Sequence, residues 1–589
     1  MKTYLCLVAT LALVFSVGCD RQMLRSATSG STSSTVSEVT PPPIHPPPVD
    51  PPSVTYINPN LGVNLEGITD YSRLYMFADL AKASRQWGSP SAPWDGSASV
   101  DAQGWPTQDA GVILELHEVD VGDTIAAYRY MAVGTYAFSF TGRATVSGNG
   151  IPVANSVYDA ASNTTTGDLL VGERVSQMFL SFRNTSGGIK NLKVMRPGYA
   201  ATGEIWTKEF LAAIAPFGTL RFMDALATNN NPLKLWSERT LPTSATQASS
   251  KGMAYEHVID LANTTGKAIW INVPGSADDN YILQLATLLK NSLNPKINVY
   301  VEFSNEVWNT IFSQSSANEQ AAVAEVIAGD TSLTGGHACT AAELASGTNN
   351  CNRTWAGWLR VGKRTVRITQ IFAQVFGQSA INTRIRPILA THFAYLAIGE
   401  QQLKYIARYH GQPSTLIYGI AGAPYYDIEN SVSNSPTLTL NQIFSSFAQS
   451  LSQTLPMFAA GVNVAGVFTK GAAYQGGDWT GASQLALAKF YNIKSLAYEG
   501  GSDYHQNTVS TAVKYQSNFD PRAGELTRQY IEQWLGCGND LFMYFTLSSG
   551  YSQWGNWGLT NDPVNMTSPK MAAFRALAST PLTAFRTCQ

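Results

Sequence analysis

The feature that most limits what this chain can fold into is a rhythm of short apolar runs alternating with helical spacing. From residue 210 onward, β-branched and aromatic runs occur at 219–224, 267–274, 383–389, 416–421, 493–498 and 540–545, and another opens the stretch 298–309. Runs of this length and composition read as strands. Between most of them apolar residues recur at helical intervals, as at 255–263, 281–293, 365–376 and 440–455. An earlier run at 61–67 ends at a glycine. It precedes residues 70–87, where Leu74, Phe77, Leu80 and Ala81 have helical spacing. That makes eight strand-then-helix units. Alternation predicts a parallel sheet, and eight units predict an α/β (β/α)8 barrel. Residues 464–477 fit the count poorly and read as an extra strand or a long loop at the site.

The rhythm is interrupted once. Residues 88–200 are rich in Gly, Ser, Thr and Asn and carry short alternating runs at 135–140 and 175–182. Short strands between turn signals predict an inserted all-β sandwich near the N-terminus. The expected domains are therefore 54–87 as the first barrel unit, 88–200 as the insertion and 201–589 as the rest of the barrel.

Residues 1–19 read as an export signal, with Lys2 before an apolar segment at 4–17. The segment ends Ser16-Val17-Gly18-Cys19, which resembles a bacterial lipobox with Ser16 where Leu is usual. The expectation is a lipoprotein anchored at the cell envelope, with plain cleavage and secretion as the alternative. Residues 20–53, rich in Ser, Thr and then Pro, read as an extended linker. Cys339, Cys351, Cys537 and Cys588 remain in the exported part, an even number that suggests two disulfides. Proximity favours Cys339 with Cys351 and Cys537 with Cys588, among three possible connectivities. Only 14% of residues are charged, the net charge is −2, and no basic stripe points to nucleic acid. No clustered Cys or His motif points to zinc, and no cofactor is expected.

In such a barrel the chemistry lies where the strands end. Residues 298–309 read N-V-Y-V-E-F-S-N-E-V-W-N. Strand alternation places Glu302, Ser304 and Glu306 on one face and Val301, Phe303 and Asn305 on the other. Burying two carboxylates there is costly unless they are paired or used. Glu302, deeper in the strand, requires a cation, for which Arg386 and Arg221 are the candidates. Glu306 stands at the top of the fourth strand. Glu499 stands at the top of the seventh, before Gly500 and Gly501, which let a ligand or the chain come close. Two carboxyls about 5 Å apart are what a retaining glycosidase needs. Tyr551, Trp554 and Trp557 follow the eighth strand and suit the apolar faces of sugar rings.

Asn305-Glu306 after strand four and Glu499 after strand seven resemble glycoside hydrolase clan A, the group of the family 5 cellulases and mannanases. The resemblance spans about 61–582 apart from the insertion. It implies Glu306 as acid/base, Glu499 as nucleophile and Asn305 on the sugar 2-hydroxyl. It implies that Arg221 and Tyr425 brace the nucleophile, with Tyr426 in reserve, and that Trp554 floors the cleavage subsite. The clan's His-x-Tyr after strand six is here Ala423-Pro424-Tyr425, so the histidine's role passes to His392. Residues 220–236 and 300–309 also resemble bacterial secreted proteins labelled cellulose-binding. The expected function is retaining hydrolysis of β-glycosidic bonds in a polysaccharide or oligosaccharide. Glu499 is expected to be held ionised and Glu306 to be raised. The alternative is a non-catalytic carbohydrate-binding surface protein on a degenerate barrel.

Overall fold

Eight short parallel strands close on themselves. The computed structural model describes residues 58–116, 131–200, 202–460, 483–562, 564, 566–585 and 588. The export segment 1–19, the linker 20–53 and the loop 464–477 lie outside the described residues. The barrel strands are β1 (Leu61–Asn64), β2 (Thr219–Arg221), β3 (Ala268–Val273), β4 (Val299–Phe303), β5 (Ile385–Ala390), β6 (Gly419–Gly422), β7 (Lys494–Ala497) and β8 (Phe542–Tyr544). Each pairs with its neighbours in sequence, and β1 closes the ring on β8 through Leu61↔Phe542 and Val63↔Tyr544. Among the described residues the parallel ring is thus the one the strand-and-helix rhythm predicts.

Side chains sort into layers by strand alternation. Outward residues such as Ile269, Ile271, Val299 and Val301 pack against the helices. Inward residues fill the barrel: Trp270, Tyr300, Ile388, Leu496, Tyr498 and Met543 form one interior cluster. Trp270 and Tyr300 stack there at 5.5 Å. Gly62 and Gly419 are needed in this interior, since a Cβ at Gly62 would lie 2.2 Å from Met543 Sδ and one at Gly419 2.3 Å from Leu496 Cδ1.

The helix expected over 70–87 is not formed; that stretch holds only the 3-10 turn Leu80–Ala83. The reason is that its apolar residues serve two cores. Leu74, Met76 and Phe77 pack with the barrel, whereas Leu80, Ala81 and Trp87 pack with the β-rich lobe. A helix would put them on one face. Instead Tyr75 takes a φ of +55°, and Phe77 and Asp79 make antiparallel bridges to Trp206 and Met195. The helix of the first unit, Lys208–Ile214, comes after the lobe, capped by Thr207.

Among the described residues the lobe has two antiparallel sheets. One orders Ala110–Leu116, Gln177–Arg183 and Thr145–Gly148; the other orders Val153–Asp159, Thr164–Val171, Gly134–Thr141 and Lys190–Met195. Residues from both sheets, among them Leu114, Phe138, Phe140, Leu180 and Phe182, share one apolar core.

Two further local differences have simple causes. The run expected as a strand from 416 begins as a helical turn, Pro413–Leu416, with proline at its first position, and the strand starts at Gly419. The helix expected over 365–376 is longer, Arg353–Phe376, because Asn352 caps it at Trp355 N and its charged side pairs with Glu325, Asp330 and Asp279. The disulfides are Cys339–Cys351 and Cys537–Cys588, the pairing that proximity favours. No described helix is long and apolar enough to cross a membrane.

Candidate active site

The site is built on Arg221, the last residue of β2, which is wholly buried. Register sets Arg221 beside Asn64 on β1 and Trp270 on β3. Its guanidinium reaches four acceptors from three other strands. Nη1 donates to Asn64 Oδ1 at 3.0 Å and Glu499 Oε1 at 2.9 Å. Nη2 donates to Glu302 Oε2 and Asn305 Oδ1, both at 2.9 Å. A planar five-donor fork is the side chain suited to this. Glu302 Oε2 also accepts from Trp270 Nε1 at 2.8 Å, so the buried charge on β4 has found its cation in Arg221. Arg386, the other candidate, lies instead against the rings of Tyr300 and Tyr418, at 5.0 and 4.8 Å.

Beyond Phe303 the strand alternation fails. Ser304 and Glu306 have φ values of +56° and +40°, in the left-handed region that costs non-glycine residues energy. The chain therefore turns, and Asn305 faces Arg221 together with Glu302, not opposite to it. Asn305 is held from behind: its Nδ2 donates to Asn229 Oδ1, and Gln314 Nε2 donates to Asn229 Oδ1 and to the Asn305 carbonyl.

The two strand-end glutamates are each held by two donors. Glu499 accepts from Arg221 and, at 3.1 Å, from the Tyr425 hydroxyl. Glu306 accepts from the Tyr498 hydroxyl at 3.1 Å and from Asn309 Nδ2 at 3.0 Å. Tyr498 precedes Glu499 in sequence yet reaches Glu306, and its ring lies 5.0 Å from the Arg221 guanidinium. The sequence reading did not single it out as a site residue. The available signal was its place directly before a strand-end glutamate, where β7 has ended and both residues reach the mouth. The glycines after Glu499 make room for protein, since a Cβ on Gly500 would meet the Tyr530 hydroxyl at 2.6 Å and one on Gly501 the Tyr544 ring at 2.8 Å.

Electrostatics differ from the expectation. Burial pushes Glu499 up to about 8, against the pull of Arg221, and the charges of Glu306 and Asp224 push the same way. Asp224, beyond the end of β2, is itself pushed by burial to about 6. Glu66, after β1, is pushed by burial to about 7 against the pull of a bond from Arg73 N. Burial thus raises three carboxyls around the mouth, Glu499 most of all. Burial and partner chemistry thus disagree at Glu499: its surroundings resist charge, while its two donors fit a carboxylate. Of the two strand-end glutamates, Glu499 is the one that the guanidinium bonds, so it is the one better placed to hold a charge.

The other sequence candidates scatter. Tyr426 is in the core, 5.0 Å from Tyr530, and plays no part at the mouth. His392, just past β5, has its ring 6.1 Å from Trp308; burial lowers its pKa while the charge of Glu306 raises it. Trp554 is 46% exposed on the loop after β8. The aromatic ring beside Tyr425 is Phe545, at 6.5 Å, followed by Trp557 at 5.9 Å from Phe545. Trp557 Nε1 donates to Asp503 Oδ1 at 3.2 Å.

No family model matches the chain. No curated protein matches it either. Among solved structures, it is similar to an exo-beta-agarase, at 8% identity over 83% of this chain and 96% of that one, with a TM-score of 0.28. It is similar to an agarase, AgWH50C, at 9% identity over 81% and 94%, also with a TM-score of 0.28.

Proposed function

We propose that the chain is a retaining β-glycosidase, with Glu499 as nucleophile and Glu306 as general acid/base. The observation that carries this is the paired arrangement at the mouth. Two glutamates stand at the ends of β4 and β7, one anchored by Arg221 and Tyr425, the other by Tyr498 and Asn309, and the charge of Glu306 acts on Glu499. In the first step Glu499 attacks the anomeric carbon as Glu306 gives its proton to the leaving oxygen. In the second, Glu306 takes a proton from water, which displaces Glu499 from the glycosyl-enzyme and restores both groups. Asn305, oriented by Arg221 and Asn229, offers its remaining amide hydrogen to the sugar, and Arg221 and Tyr425 hold Glu499 for attack.

The resemblance to clan A belongs to this proposal, as does a carbohydrate substrate. So do an exported, lipid-anchored form and the reading of the lobe as a β-sandwich inserted after β1. The test is release of reducing sugar from β-glucan, glucomannan, galactan and agarose, followed by trapping with 2-deoxy-2-fluoro glycosyl fluorides of the matching sugar. The label should map to the peptide containing Glu499. Binding of a glycan without release, or a label elsewhere, overturns the assignment.

A further inference from the structure

A row of aromatic side chains leads away from Glu306 along the rim, and the catalytic arrangement does not use it. It begins at Trp308, two residues past Glu306, whose ring lies 6.2 Å from Tyr498 and 6.1 Å from His392. One turn beyond His392 stands Tyr395, whose amide donates to the His392 carbonyl at 3.2 Å and which is 43% exposed. The Tyr395 ring lies 6.3 Å from Trp358, and Trp358 lies 4.7 Å from Trp355. Trp308, Trp355 and Trp358 are all partly exposed.

All four rings belong to the C-terminal face of the barrel. Trp308 and Tyr395 are in the loops after β4 and β5. Trp355 and Trp358 are in the opening turns of Arg353–Phe376, the end of that helix that meets the mouth. The row is held in place. Asn352 caps the helix at Trp355 N (3.0 Å), Gln402 Nε2 donates to the Trp358 carbonyl (3.1 Å), and the Cys339–Cys351 disulfide closes the preceding loop. The charged groups beside it, Arg353 and Glu319, pair with each other at 2.8 Å.

Partly exposed Trp and Tyr rings offer apolar faces on which sugar rings stack. Direction follows from chemistry. The acid must touch the glycosidic oxygen, so the half of the substrate that leaves extends from Glu306 away from Glu499. We propose that Trp308, Tyr395, Trp358 and Trp355 form a track for the leaving half of a neutral β-linked glycan chain. This rests on Glu306 being the acid/base. A track of several rings specifies a chain of sugars on the leaving side, not a single sugar or a small alcohol.

The experiment compares wild type with Tyr395→Ala, Trp358→Ala and Trp358→Phe. Substrates are β-glucan, glucomannan, galactan and agarose, and the 4-nitrophenyl β-glycosides of glucose, mannose and galactose. For the polymer that wild type cleaves, the ratio of kcat/KM on polymer to kcat/KM on aryl glycoside should fall about 3- to 10-fold in each alanine variant, mainly through KM, as the loss of one stacking ring implies. Trp358→Phe, which keeps an aromatic face, should retain most of the ratio, and Tyr395→Ala, at a 43% exposed side chain, should lower the ratio with the thermal melt little changed. Unchanged ratios in both alanine variants overturn the track. Electrophoresis of Glu306→Gln through gels containing the same polymers reads binding without cleavage. Retardation that adding Trp358→Ala abolishes supports the row as a glycan track; if wild type also releases no sugar, the acid/base assignment falls and with it the leaving-side direction, while the glycan contact stands. Retardation by no polymer, or equal retardation in both proteins, overturns the track.

Discussion

Two buried arginines do different work in this molecule. Arg196 lies at the seam between lobe and barrel and meets one carboxylate, Glu115, at 3.0–3.1 Å through both terminal nitrogens. Its Nε donates to the Phe77 carbonyl and its plane lies 4.0 Å from the Tyr75 ring. Charge and hydrogen bonding are balanced, and the pair staples two cores together. Arg221 lies at the barrel mouth and bonds two carboxylates, Glu302 and Glu499, while Glu306 and Asp224 press on Glu499 from farther off. One cation cannot neutralise that set. Burial and the surplus of negative charge therefore hold Glu499 up to about 8 despite its bond to Arg221. Balance distinguishes the staple from the site more clearly than burial does.

The comparison breaks most visibly in activity. Glu306→Gln and Glu499→Gln should each lower glycan hydrolysis by roughly 10³-fold or more, with the fold retained by circular dichroism. Glu115→Gln should leave the activity of the folded protein near wild type. Full hydrolysis by either mouth variant would remove the catalytic assignment.

Stability is the next contrast. Arg221→Met and Arg196→Met should each cost about 3–5 kcal/mol in urea unfolding, since each leaves a buried carboxylate without its cation. The double replacements then separate the two places. Arg196→Met with Glu115→Leu should recover to within about 2 kcal/mol of wild type and keep activity, as removing both members of a buried pair does elsewhere. Arg221→Met with Glu302→Leu should lose activity whatever its stability, because Glu499 and Asn305 lose their anchor.

The excess of carboxyls at the mouth gives a pH signature centred on Glu499. Glu499 must be ionised to attack, so kcat/KM should rise as pH increases toward about 8, where Glu499 loses its proton. Stability carries the opposite sign. Glu499 is raised in the folded state from 4.5 to about 8, so its contribution is full below about pH 4.5 and is lost as pH rises toward 8. Glu499→Gln should flatten that slope in thermal melts, and an unchanged slope would show that Glu499 is not the group responsible. The smallest effect expected is at Trp554, exposed on its loop. Trp554→Ala should shift stability by no more than about 0.5 kcal/mol, and a larger loss would mean that its ring is packed.

Much of the barrel was legible from periodicity. Strands at 268–273 and 299–303 show in their β-branched and aromatic runs, and helices at 255–265 and 279–292 in their apolar spacing. The stretch 70–87 was misleading because helical spacing says that residues are buried, not that they are buried together. Leu74 and Leu80 are buried in different cores. Glu306 and Glu499 were legible because they follow strand runs. Tyr498 was not, since an aromatic at the end of a strand reads equally as core. Trp554 follows from residue type and position after the eighth strand, and only the folded loop sets Phe545 beside Tyr425.

What the chain determined by itself is therefore local: which segments pair as strands, which coil as helices, where each strand ends, and which cysteines lie close enough in sequence to meet. These follow from side-chain shape and periodicity over a few residues. Tertiary structure decided everything that depends on which strand ends converge. Arg221 meets Glu499 across 278 positions, and Tyr498 meets Glu306 across 192. The turn at Ser304 and Glu306 takes Asn305 off the alternating pattern and toward Arg221. Ring closure alone sets such distances, because it brings the ends of β1, β2, β4 and β7 into one crowded, poorly solvated mouth. There each group's charge is set by neighbours that the sequence keeps far apart.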